Sequence, residues 1–128
     1  METVKMENRA WKGIRLVLDS ITQESKEYIY SIDWHVPIGK FYLEEQVTHL
    51  DRFEGKTTIH PTFAKHIGYA DRIQPLIKWI ENNRNVKVEI DNPEALKANE
   101  QYAIDDGERL LKKYPKWKTK ISPQEIIA

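Results

Sequence analysis

Tyr28-Ile29-Tyr30-Ser31-Ile32-Asp33-Trp34-His35-Val36 decides the fold class of this chain. Tyr28, Tyr30, Ile32, Trp34 and Val36 fall on one side of an extended chain, and Ile29, Ser31, Asp33 and His35 on the other. A period of two in β-branched and aromatic residues marks a half-buried strand. The stretch runs into Pro37-Ile38-Gly39. Proline followed two residues later by glycine suits a tight turn with the glycine in the left-handed region, as in a three-residue hairpin loop. Residues 28–36 are therefore one arm of a hairpin.

Outward from this arm, residues 11–18 form the preceding strand, with Ile14, Leu16 and Leu18 on one face, and residues 19–26 a polar loop between the two. Residues 40–50 admit two readings. A strand places Phe41, Leu43, Glu45, Val47 and His49 on one face; a helix aligns Leu43, Val47 and Leu50. The hairpin turn before them favours the strand. A polar turn over 51–55 and a short strand over 56–60 complete an antiparallel meander of about four strands.

The second half changes character. Residues 61–66 suit a short helical segment. Asp71-Arg72-Ile73-Gln74 is a helix start, with Asp71 as cap and Gln74 in the capping-box position. Ile73, Leu76, Ile77 and Ile80 make the buried stripe, and Asn82-Asn83 ends the helix. Val86, Val88 and Ile90 alternate with Lys87 and Glu89 as a strand. Asn92-Pro93-Glu94 opens a second helix with a cap, a first-turn proline and an acid at the positive end of the dipole. Gly107 shares the side of Leu96, Ala103 and Leu110, where a missing side chain allows close packing; the alternative is that Asp106-Gly107 breaks the helix. Pro115 stops it. The expected fold is α+β: an antiparallel β-meander from the N-terminal half, packed against helices at about 71–83 and 93–113. The 128 residues suit a single domain, with residues 115–128 as a tail apolar enough to dock.

Composition narrows function by exclusion. There is no cysteine, hence no disulfide framework, thiolate zinc site or cysteine nucleophile. No apolar run approaches a membrane span and the first eight residues lack the core of a signal peptide, so the expected location is cytoplasmic. Glycine-rich nucleotide fingerprints and nucleophile elbows are absent, and no cofactor is expected. Basic and acidic residues balance at twenty each. They are unevenly spread, because Lys112, Lys113, Lys116, Lys118 and Lys120 sit together with no acid.

Two groups of residues can carry function. Asp33 and His35 point the same way about 6–7 Å apart along one strand, which suits an acid–base dyad or a shared metal. His60 is a third catalytic candidate. Glu45 and His49 could complete a metal site, but they share parity with Phe41, Leu43 and Val47, which belong in the core. His60-Pro61-Thr62 has the His-x-Thr form of two-histidine phosphoesterases, but the second copy that chemistry requires is missing.

The other group is Lys112, Lys113, Tyr114, Lys116, Trp117 and Lys118. Lysines interleaved with aromatics suit phosphates and unpaired bases, or an acidic protein surface. With no arginine among them, contact with nucleic acid would be sequence-tolerant. The structural alternative is a solvated helix end with Trp117 folded back to seal the core. The favoured expectation is a small non-catalytic binding protein with a protein partner. Nucleic acid is the next partner considered, and exposed strand edges make a homo-oligomer a further expectation. The competing expectation is a small metal-dependent or acid–base hydrolase, phosphodiesterase-like, on Asp33 and His35.

Overall fold

The computed structural model describes the backbone of residues 1–53, 56–60 and 64–128, and the side chains of residues 1–50 and 64–128. Among the described residues, seven strands and two α-helices follow in order: β1 (Glu2–Asn8), β2 (Arg15–Gln23), β3 (Lys26–His35), β4 (Lys40–Phe53), β5 (Lys56–His60), β6 (Ala64–Ala70), α1 (Ile73–Arg84), β7 (Val86–Ile90) and α2 (Pro93–Lys113). The fold is α+β. The sheet order is β5-β4-β3-β2-β1-β7, with β6 also pairing to β4. All neighbours are antiparallel except β1 and β7, which run parallel with Val4 opposite Val88. No helix among the described residues is long and apolar enough to cross a membrane.

The alternation in β3 places its side chains as the period of two requires. Tyr30 and Ile32 are fully buried, Tyr28 nearly so, and Trp34 packs against the same core. Cross-strand pairing carries that face into β2 through Leu16 and Leu18 and into β4 through Phe41 and Leu43. Both helices lie on this side: α1 contributes Ile73, Leu76, Ile77 and Ile80, and α2 contributes Leu96 and Ala103. The α2 helix is continuous through Gly107. The position of Gly107 lies against the indole of Trp34: a Cβ there would stand 2.3 Å from Nε1. The close-packing reading holds, and no break occurs.

Local sequence also explains the ends of several elements. Val36–Gly39 forms the turn after β3, one residue longer than the three-residue loop expected. Gly39 takes φ +71° there and donates its N–H to His35 O at 2.9 Å. The Asn92 side chain caps α2 by accepting from Ala95 N at 3.2 Å. Asn85 closes α1 in the left-handed region, its N–H donating to Glu81 O.

Other expectations are corrected. The segment preceding β2 is a strand, β1, between β2 and β7. Trp11 lies outside any strand, 88 % exposed, and residues 19–23 continue β2 where a loop was expected. A bulge between Leu18 and Ile21 keeps both of these inward, since an inserted residue resets the alternation. Residues 64–66 belong to strand β6, not to a helix; residues 61–63 of that expected segment, and 54–55 of the expected turn, lie outside the described residues. Asp71 does not cap α1. Its carboxylate bonds Lys40, while Glu100 from α2 accepts the Ile73 N–H at 2.8 Å. A carboxylate brought by tertiary packing thus replaces the local cap.

Candidate functional site on the uncovered sheet face

With both helices on one side, no layer of secondary structure among the described residues covers the other face of β2, β3, β4 and β6. Along β3 it presents Ile29, Ser31, Asp33 and His35, and along β4 Tyr42, Glu44 and Gln46. Asp33 stands opposite Arg15 of β2 and Tyr42 of β4, and Tyr42 opposite Tyr69 of β6. A shallow depression of about 570 Å³ lies over Arg9, Arg15, Val17, Asp33, Tyr42 and Glu44.

At one end of this face four rings cluster. His35 packs edge-on against Tyr42, with centroids 5.5 Å apart, and lies 6.0 Å from Tyr69. His66 stacks on Tyr42 at 5.9 Å and meets Tyr69 at 4.4 Å. His66 reaches this face because of an irregularity in β6. Leu43 pairs with Gly68 but Glu44 pairs with His66, so Ile67 is the extra residue and packs toward the core.

Asp33, Tyr42 and Tyr69 are each partly buried here. Burial pushes the Asp33 carboxyl above its ordinary 3.8; Arg15 opposes that shift and Glu44 adds to it. Burial likewise raises the Tyr42 phenol, with Asp33 the next cause. The Tyr69 phenol is raised by burial and then by Glu125. A carboxyl with a raised folded pKa lowers stability as pH rises from the unfolded to the folded value, and the loss persists above it. Asp33→Asn should therefore be more stable than the native chain at pH 7, by less than about 1 kcal/mol given the solvent screening of a half-exposed group. The gain should vanish near pH 3. Urea denaturation at the two pH values checks it.

The sequence-predicted residues divide. Asp33 and His35 share this face, as the alternation requires. His35 packs on the two tyrosines, and no hydrogen bond joins it to Asp33 among the described residues. Glu45 lies on the opposite face, 9 % exposed, and accepts the Tyr30 hydroxyl hydrogen bond at 2.7 Å. Glu45 is thus separated from Asp33 and His35 by the sheet itself. His60 pairs in register with His49, and its side chain lies outside the described residues. Among the described residues, no group of three or more His, Asp or Glu could hold a metal ion.

Lys112, Lys113, Tyr114, Lys116, Trp117 and Lys118 form an exposed ledge. Tyr114 and Trp117 stack on one another with centroids 4.3 Å apart, and Trp117 is 47 % exposed. It does not seal the core. The Thr119 N–H donates to Pro37 O at 2.6 Å, which ties the ledge to the turn following His35. Further on, the Ile127 N–H donates to Tyr69 O at 2.7 Å and the Ile127 side chain covers Gly68, so the tail lies along β6. Tyr42, His66 and Tyr69 had escaped sequence reasoning: Tyr42 from uncertainty over residues 40–50, the other two because no pattern marks β6. No known protein family, curated protein or solved structure matches this chain.

Proposed function

We propose that this is a non-catalytic binding protein that engages a protein partner through the uncovered sheet face. The observation that carries the reading is the cluster of His35, Tyr42, His66 and Tyr69 on a face that the chain's own helices leave bare. Tyrosines supply large contact area at small entropic cost, and they recur among the residues that dominate binding energy. Asp33, Glu44, Arg9 and Arg15 beside them give both signs of charge for orienting a partner. The lysine ledge, anchored to the same end of the sheet, favours a partner with acidic surface.

The test is capture of partners from host lysate on the immobilised full chain, with and without nuclease, followed by calorimetry with the isolated partner. The complex is expected to survive nuclease, and Tyr42→Ala or Tyr69→Ala to weaken it at least about tenfold. Loss of the complex on nuclease treatment would replace the protein partner with nucleic acid. Unchanged affinity in both variants would move the contact surface elsewhere. A second reading, acid–base hydrolysis on Asp33 and His35, draws support from the raised pKa of Asp33 on the face it shares with His35. It requires a phosphodiesterase-type activity that His35→Ala abolishes, and without such activity it fails.

A further inference from the structure

The two sides of the sheet are finished differently. Along β6, the chain's own tail lies against Tyr69 and Gly68. At the far side, β7 pairs only with β1 among the described residues. The Val88 N–H is not spent on β1: it donates to a carboxylate oxygen of Glu81 at 2.9 Å. Because backbone groups alternate along a strand, Val86, Val88 and Ile90 then direct theirs away from β1, toward the open edge. A groove of about 590 Å³ runs beside this edge, walled by Ile73, Ile77, Leu96 and the half-buried Val88 and Ile90.

The sequence of β7 is self-complementary. Val86-Lys87-Val88-Glu89-Ile90 is symmetric in kind about Val88, with apolar residues at both ends and opposite charges at equal distance from the centre. We propose that β7 pairs antiparallel with the β7 of a second copy, about a two-fold axis through Val88. Val88 then faces its own counterpart, Val86 faces Ile90, and Lys87 faces Glu89 twice over. An isologous contact demands this kind of symmetry. Pairing would form about six backbone hydrogen bonds, two for each facing pair of outward-directed residues. Lys87 and Glu89 are both exposed and lie on the sheet face away from the helices, so opposite charges meet there. Lys5 of β1 stands beside Glu89, which places a cation on each flank of that carboxylate. Glu81 guards the edge in the single chain; on pairing, the Val88 amide passes to the other copy and the Glu81 carboxylate returns to water.

The test is the mass of the full chain in solution by sedimentation, across a concentration series, with circular dichroism confirming the fold of every variant. The native chain should dimerise. Lys87→Glu makes the edge wholly acidic and Glu89→Lys makes it wholly basic, so each variant by itself should dimerise at least about tenfold more weakly. Mixed together, the two variants should pair with one another. Glu81→Ala, which removes the competing cap, should tighten the native dimer. A native chain that stays monomeric at its highest soluble concentration overturns the proposal, as do single variants that dimerise like the native chain or a mixture that does not pair.

Discussion

Phe41→Ala is expected to cost about 3–5 kcal/mol of folding stability. Phe41 is fully buried, and the Trp34 ring packs edge-on against it with centroids 4.7 Å apart. Truncation removes both the transfer free energy of the ring and the packing of its neighbours. The cavity cannot collapse readily, because Phe41 is held between β3 and β6 by pairing to Trp34 on one side and Ala70 on the other. Against a typical total of about 5–15 kcal/mol, such a loss leaves a domain that is marginal at 37 °C. A urea titration followed by far-ultraviolet circular dichroism measures it. A loss under about 1 kcal/mol would mean that this corner of the core is not packed as described.

The second large effect has a sign opposite to that expected from helix propensity. In an exposed helix, Gly→Ala gains about 1 kcal/mol. At Gly107 the same change is expected to cost about 1–3 kcal/mol. The new methyl would meet three atoms of the Trp34 indole at 2.3, 2.7 and 2.8 Å. The indole cannot retreat freely, since Phe41 braces it from the sheet side. Its Nε1 is already buried with no hydrogen-bond partner among the described residues, so a shift would carry an unsatisfied donor with it. Trp34→Phe, which shortens the ring, should recover much of the loss in a double-mutant cycle. If Gly107→Ala stabilises the chain, α2 does not approach β3 this closely.

Much of this architecture was legible because it rests on local periodicity. The alternation in β3 needs no partner to be recognised, and it placed Asp33 and His35 on the face away from the core. The Asn92-Pro93 helix start and the alternation of residues 86–90 are equally local. The core parity of Glu45 was readable too, and the structure buries that carboxylate against the Tyr30 hydroxyl. Where the pattern was thin, sequence reasoning failed. The β1 strand turns only Val4 and Met6 inward between exposed polar and charged neighbours, and its place comes from β2 on one side and β7 on the other.

The candidate site lies on both sides of that divide. Sequence by itself determined that a strand would carry Asp33 and His35 outward, because side-chain direction in a strand follows from backbone pleat. It also determined that lysines and aromatics would share the chain's end. Only tertiary structure decided what stands beside His35. Tyr42 arrives through register with β3, and Tyr69 through register with β4. His66 arrives through one extra residue in β6, which reverses the direction of every side chain before it. A one-residue offset leaves composition and periodicity almost untouched, yet it moves an imidazole from one face of a sheet to the other. Such an offset is set by the pairing energy of strands far apart in the chain, which is why the four-ring cluster appears only once the sheet is assembled.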